Sequence, residues 1–291
     1  MIYSQQTQLG VVFLSDKFDF HCHSIQSDGG LSPADLIDYA LERNIQHLAL
    51  TDHDCVSGLA IARSHIEENQ LPISLIDGVE LSAATEFGEI HVVGLAIDSA
   101  NNRLQSALKI QQDQRKERAQ QICLKLEKLG ITGVLSKTLE LATEVITRTH
   151  IACAIVELGH AKDMQQAFKK YIGKKGKVKV SQSWMPLIDA VGLIQGAGGK
   201  AVLAHPTRYP LTNRKLSLLI QVFKECGGDG IEMAYPSLNP DKMNWLKIHR
   251  EQNDLLASSG SDFHFPGLKW TDLGRFPPLD TTIPHLKETI I

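Results

Sequence analysis

The chain has 291 residues, of which 43% are hydrophobic and 22% charged, and its net charge is −3. That is long enough for one large α/β domain or a core carrying an insertion, and it lacks the basic footprint of a protein that wraps long nucleic acid, so no DNA duplex is expected as a partner. The odd count of five cysteines (Cys22, Cys55, Cys123, Cys153, Cys226) with no CxxC pair reads as reduced thiols rather than a disulfide framework. The N-terminal apolar run at 11–14 is too short for a signal-peptide core, and nothing approaches the roughly 20 apolar residues of a membrane span. A cytoplasmic location, with no membrane association, is expected.

Short apolar runs alternate with amphipathic stretches, the pattern of βα units around a parallel sheet. The first strand is expected at 18–21. A helix then opens at Ser32-Pro33, an N-cap followed by proline at the first helical position, with Leu36, Ile37, Tyr39, Ala40 and Leu41 on its buried face. Strand 47–50, helix 56–68 and strands 73–76 and 90–96 follow. The rhythm then changes: one helical pattern runs from 101 to 129, and helical segments continue to about 172. Strands resume at 200–204, 230–234 and 255–258. Residues 100–184 therefore read as a mostly helical insertion between core segments 1–99 and 185–291. Gly196-Ala197-Gly198-Gly199 is a helix-to-strand turn; it lacks the lysine pattern of a phosphate-binding P-loop.

The polar residues fall at particular places in this pattern. His21 and His23 end the first strand, and Asp28 follows in the next loop. His53 lies just past the second strand, Glu80 just past the third, and His91 in the fourth. His205 ends the strand at 200–204, and Asp262 and His264 follow the last strand. In βα architectures the loops after the strands' carboxyl ends converge on one face, so nine groups able to bind metal reach one rim. Imidazole with carboxylate suits zinc, manganese or iron. Two apart on a strand, His21 and His23 point the same way, which turns Cys22 into the wall as a small buried thiol. A lone HxH is common by chance; the ordered recurrence at strand ends carries the reading. His47, His65, His160, His249 and His285 read as structural.

In the long helix Leu104, Leu108, Gln111, Arg115, Arg118, Ile122, Leu126 and Leu129 recur at spacings of three or four and trace one stripe. Its ends are apolar and its middle is not. Arg115 and Arg118 project together, and an inward pair needs an anionic partner, read as a substrate phosphate; the alternative is that the stripe twists and both arginines meet solvent or internal acids such as Glu117. The run Lys169, Lys170, Lys174, Lys175, Lys177, Lys179 reads as a solvated loop, with the sharper alternative that it tracks the backbone of short RNA.

At these residues the sequence resembles the PHP family, named for polymerase and histidinol phosphatase. The matching pieces are Asp19-Phe20-His21-Cys22-His23-Ser24, Thr51-Asp52-His53-Asp54, Gly78-Val79-Glu80, His91-Val92-Val93-Gly94, Ala204-His205-Pro206 and Gly260-Ser261-Asp262-Phe263-His264. The resemblance implies a distorted (β/α)7 barrel of α/β class with three divalent metal ions. It gives one ion His21, His23, Glu80 and Asp262, a second Glu80, His91 and His205, and a third Asp28, His53 and His264. Asp28, where some members have histidine, moves the third site towards harder ions, which favours manganese, with zinc, magnesium or iron as alternatives. Within the family the chain is similar to the nucleoside 3′,5′-bisphosphate phosphatase and ribonuclease AM group, through the long helix, Thr147-Arg148-Thr149-His150-Ile151-Ala152 and the Tyr171-Ile172-Gly173 turn. It departs from that group in having Thr149 where proline is usual, and Gly176-Lys177-Val178 where Gly-Lys-Pro is usual. The group's substrate contacts correspond to Asp28, His53, Arg115, Lys116, Arg118, Arg148, Thr149 and His150.

The chemistry expected is hydrolysis of a phosphate ester, with metal ions lowering the pKa of water and arginines spreading the developing charge. Glu80 and Asp262 would bridge metals and fix the nucleophile, His264 or His205 would assist the leaving oxygen, and Asp52 would orient a ligand histidine. The resemblance narrows the substrate to nucleoside 3′,5′-bisphosphates such as pAp, losing the 3′-phosphate, or to short 5′-phosphorylated RNA cut from its 5′ end. Two other readings stand beside it: a phosphatase for histidinol phosphate or another small phosphomonoester, and a non-catalytic metal-stabilised regulatory module. No obligate protein partner is expected.

Overall fold

In the computed structural model, which describes residues 17–181 and 183–291, seven strands run in the order β1 (Phe18–Cys22), β2 (His47–Leu50), β3 (Ser74–Thr85), β4 (Gly88–Leu95), β6 (Lys200–Leu203), β7 (Gly230–Ala234) and β8 (Leu256–Ser259), and the short β5 (Met185–Pro186) pairs with β3. The apolar run at 11–14 lies outside the described residues. Beyond β8 the chain swings back beside β1: Cys22 bridges Phe263, and Asp262 N donates to His21 O at 2.8 Å. The sheet thus curls into a distorted barrel of α/β class.

The expectation of parallel strands holds for β1–β2–β3 and β6–β7–β8 but not for β4, which is antiparallel to both β3 and β6. Only Glu86 and Phe87 separate β3 from β4, too few for the crossover that parallel neighbours require. β3 is also longer than expected, so Glu80 lies inside it, opposite Val93, rather than past its end. Gly78, inside β3, serves close approach: a Cβ there would sit 2.7 Å from Thr51 Cγ2 and 3.1 Å from Gly94 O.

Helices α1 (Pro33–Glu42) and α2 (Ser57–Asn69) cover one flank, where Leu36, Ile37, Ala40, Leu59 and Ala62 bury against Cys22, Leu48 and Leu50. Ser32 caps α1 by accepting from Asp35 N, with Pro33 opening the helix as expected. Between β4 and β5 lie α3 (Asn102–Glu127), α4 (Val134–Leu141), α5 (Arg148–Glu157), α6 (Met164–Ala167) and a π turn (Phe168–Ile172). The rest of the outer layer is α7 (Leu187–Gly196), α8 (Asn213–Glu225) and α9 (Pro240–Gln252), and α10 (Lys287–Ile290) ends the chain. Leu216, Leu219, Phe223 and Leu246 pack there with Val191, Ile194, Leu203 and Ile231. Gly198 takes a φ of +77° between α7 and β6, the left-handed conformation that favours glycine.

The stripe on α3 joins two apolar clusters. Leu104 and Leu108 belong to the sheet's core, whereas Ile122 and Leu126 belong to a separate cluster with Ile151, Ile155, Tyr171 and Ile172. Gln111, Arg115 and Arg118 lie between them and are buried. Leu129 falls beyond the helix end and is exposed, contrary to the expected stripe. Among the described residues no helix is long and apolar enough to cross a membrane.

Candidate active site

The sequence places His21 at a strand end, and the fold then locks it there. Asp19 accepts the backbone N–H of His21 at 3.1 Å and of Ser261 at 2.9 Å, and Gly274 N at 2.7 Å. Burial pushes the Asp19 carboxyl up to about 6, although these donors pull it down. Gly260 lets the strand after β8 approach: a Cβ there would lie 2.4 Å from His21 Cβ. His205 and Asp262 both hold positive φ values, +29° and +50°, conformations costing roughly 1–3 kcal/mol each that persist where surrounding contacts over-determine them.

Glu80 is the hub. Its Oε1 lies 2.9 Å from His91 Nδ1, 3.0 Å from His205 Nε2 and 3.4 Å from His21 Nε2. Its Oε2 lies 2.8 Å from His53 Nδ1 and 3.4 Å from His23 Nε2. Asp262 Oδ1 is 3.2 Å from His23 Nε2, 3.4 Å from His21 Nε2 and 3.6 Å from His264 Nδ1. Asp28 Oδ1 is 3.6 Å from His53 Nε2 and 3.5 Å from His264 Nε2. All nine expected groups therefore meet. They form four overlapping clusters: His23–Asp28–His53–His264, His21–Glu80–His205, His21–His23–Asp262 and His53–Glu80–His91. The grouping differs from the expected one in that His23 also joins the Asp28 cluster and His53 also reaches Glu80.

The donor set fits cations. His21 Nε2, Asp28 Oδ1 and Glu80 Oε2 are buried with no hydrogen-bond partner, and buried polar atoms are costly unless something satisfies them. Burial alone would raise Asp28, Glu80 and Asp262, but the surrounding imidazoles overcome it and hold all three well below the usual carboxylate range. Burial, with His264 and His53 alongside, drops His23 to about 3, so it is neutral and its lone pair is free. Burial opposes charge on His91 and His264 too, yet Glu80 carries the first up to about 10 and Asp28 the second up to about 9.

Glu232, Arg208 and Tyr209, which the sequence reading did not single out, also support the cluster. Glu232, in the middle of β7, accepts from His21 Nδ1 at 2.7 Å and from His205 N at 2.6 Å; its one trace is an acid inside an otherwise apolar strand. Arg208 donates to Asp262 Oδ2. Tyr209 OH accepts from His91 N at 2.8 Å and donates to Ala204 O at 3.0 Å. Asp52, expected to hold a ligand histidine, acts one step removed: it accepts from Ser24 N, Ser24 Oγ and Ser27 Oγ, and Ser27 Oγ is 3.4 Å from His23 Nδ1.

A cavity of about 710 Å³ opens over the cluster, lined by Asp28, His53, His91, His205, Asp262 and His264 and also by Arg148, Thr149 and Lys174. The arginines of α3 stand back from it. Arg115 faces inward as expected, but its partner is an internal acid, Asp54, at 2.6 Å, with Ser82 Oγ at 2.7 Å; Glu117 instead pairs with Gln121. Arg118 lies 3.5 Å from Glu89, a cavity residue, and over the Trp184 ring. Lys116 turns outward towards Asp113, because one residue rotates a helix by about 100°. His150 accepts from Thr147 N through Nδ1, completing a capping box on α5, and does not line the cavity. Thr149 N donates to Thr147 Oγ1 at 3.1 Å, a bond that proline at this position could not make. All six lysines of the basic run are exposed, and of them only Lys174 reaches the cavity. His65 pairs with Asp38, His249 packs against Trp245 with the rings tilted, and His285 meets Ser259, structural settings as expected.

A family model described as "PHP domain" matches residues 19–225. A 3′,5′-nucleoside bisphosphate phosphatase of Chromobacterium violaceum is 43% identical, with 90% of this chain and 93% of that protein covered. A 5′-3′ exoribonuclease of Haemophilus influenzae is 39% identical, covering 93% of this chain and 98% of that one. A solved structure of a Chromobacterium violaceum amidohydrolase, with sulfate bound and no metal, superposes with a TM-score of 0.87 at 40% identity, over 94% of this chain and 95% of the other.

Proposed function

The chain belongs to the PHP domain family, and from that premise we propose that this hydrolase removes the 3′-phosphate of nucleoside 3′,5′-bisphosphates and releases nucleotides from the 5′ end of short 5′-phosphorylated RNA. That it is a metal-dependent phosphoesterase follows from the family and from the relatives, one a phosphatase and one an exoribonuclease. What carries the substrate reading is the shared cavity, which Arg148 and Thr149 line together with the imidazole–carboxylate cluster. A substrate with two phosphates spans such a pair of poles; a monoester uses only one.

His21, His23, Asp28, His53, Glu80, His91, His205, Asp262 and His264 would hold three divalent ions, with manganese favoured by the three carboxylates and by Asp28 in particular. Bound there, such ions act as Lewis acids and lower the pKa of water. The chain's own residues do the rest. Glu80 and Asp262 gather the imidazoles and fix the position of the attacking water. Arg208, beside Asp262 on the cavity wall, stays charged and offers further N–H donors to phosphoryl oxygens. Arg148 takes the 5′-phosphate, with one guanidinium nitrogen held by Ile172 O at 3.2 Å and buried Nε without a partner. Glu232 fixes the His21 ring, and His205 or His264 would assist the leaving oxygen.

Residues 100–184 serve as the substrate-binding insertion between barrel segments 1–99 and 185–291, in a cytoplasmic enzyme. Metal-free protein reloaded with manganese, zinc or magnesium tests this by phosphate release from pAp and by shortening of 5′-phosphorylated oligoribonucleotides. Release from neither substrate ends the reading.

A further inference from the structure

We propose that a second cavity next to the reaction site binds the base of the nucleotide on the 3′ side of the scissile phosphate, the one that keeps the phosphate when O3′ of the first nucleotide departs, so that RNA makes a contact no bisphosphate can make. The proposal rests on the function just proposed and names the site that would distinguish its two substrates.

This cavity measures about 330 Å³ and shares Tyr209 and Leu211 with the reaction cavity. The Tyr209 ring is 5.6 Å from that of His205, so the seam lies one side chain from the metal-binding cluster. Arg148, Thr149 and Lys174 come instead from the helical segment, α5 and the loop after the π turn. A nucleotide anchored there by its 5′-phosphate and placing its 3′-phosphate over the cluster would direct any following nucleotide towards Tyr209 and Leu211.

The lining suits a nucleobase of any kind. Trp245 is half-buried and backed by His249, with ring centroids 3.9 Å apart, which stiffens it as a stacking surface. Leu216 is buried and supplies an apolar wall. Asn213 offers both a donor and an acceptor to a base edge, whichever base is present. Lys242 is exposed at the cavity, where an amine suits the next phosphate. Aromatic stacking tolerates every base because each has a π face, which fits an enzyme that must step along RNA. The Asp241 carboxylate in the same lining disfavours a site for free phosphate.

The test compares pAp with two 5′-phosphorylated RNA trinucleotides, one intact and one abasic at its second position. With wild-type, metal-loaded protein, removing the second base should raise KM about tenfold, the scale of one stacked base. Trp245→Ala should raise KM for the intact trinucleotide by a similar factor, leave pAp hydrolysis unchanged, and erase the difference between intact and abasic RNA; Trp245→Phe should recover most of it. Equal KM for the two trinucleotides with wild-type protein overturns the proposal, as does an equal loss on pAp and RNA in Trp245→Ala at unchanged melting temperature. Wild-type protein inactive on pAp and RNA alike would instead remove the underlying function.

Discussion

Glu232 holds two separate parts of the cluster at once: Oε1 lies 2.7 Å from His21 Nδ1, and Oε2 accepts the backbone N–H of His205 at 2.6 Å. With Nδ1–H committed to a carboxylate, the neutral His21 ring that binds an ion would have its lone pair on Nε2, the atom that faces Glu80 and Asp262. Glu232→Gln retains the shape but removes the charge that orients the ring. Metal affinity should fall roughly 10- to 100-fold, as it does when such supporting partners are lost, with little change in the melting temperature of metal-free protein. Calorimetric titration of manganese or zinc checks this; unchanged affinity would show that Glu232 only packs.

Arg115 and Lys116 are neighbours with opposite expected outcomes. The Arg115–Asp54 pair is almost wholly buried, at 4% and 0% exposure. Arg115→Ala leaves the Asp54 carboxylate without its partner and should destabilise the fold by about 3–5 kcal/mol, seen as a lower denaturation midpoint. Lys116→Ala should change stability by no more than about 0.5 kcal/mol and leave turnover as it was. Were Arg115→Ala stable but poor in KM, Arg115 would belong to the substrate rather than to Asp54.

Arg148 sits on the cavity wall with part of its hydrogen-bonding capacity unmet. Arg148→Ala should cost about 1.5–3 kcal/mol of binding to a 5′-phosphate, the range for hydrogen bonds to charged groups. This corresponds to a roughly 10- to 100-fold loss in kcat/KM, carried mostly by KM. On substrates lacking a 5′-phosphate the loss should vanish. A falling kcat with KM unchanged would place Arg148 in the chemical step instead. His205→Ala and Asp262→Ala, by contrast, should abolish turnover on every substrate.

The parts legible in the sequence were those with local causes. His21 and His23 alternate along one strand, Ser32-Pro33 opens α1, and the α3 stripe follows from helical spacing. What stayed hidden depends on partners far along the chain. The Arg115–Asp54 pair spans 61 positions and the Arg208–Asp262 pair 54, so neither follows from periodicity. Glu232 is a single acid within Gly-Ile-Glu-Met-Ala and carries no pattern of its own. The extent of β3 stayed hidden too, because Gly78 answers to crowding by Thr51 and Gly94, residues outside its own segment.

The cluster should bind metal in competition with protons. In the metal-free protein His91, held up to about 10 chiefly by Glu80, and His264, held up to about 9 by Asp28, carry protons at neutral pH, as does His21, which, against the pull of burial, Glu232 and Glu80 raise well above its ordinary value, whereas His23 at about 3 does not. A cation must displace the protons on all three, so affinity should climb steeply as pH rises from 6 to 9. The sign for folding is opposite. The His91 and His264 imidazoles are raised above the ordinary value of 6.5, so their ion pairs stabilise the metal-free protein fully below about pH 6.5, and that contribution is lost as pH passes through 9 to 10. Metal-free protein should therefore melt progressively lower from pH 7 to 10, while metal-loaded protein should hold or gain stability over the same range. Proton release is counted by titrating metal in buffers of different ionisation enthalpy. An affinity that does not vary with pH would mean that these imidazoles are already neutral in the free protein.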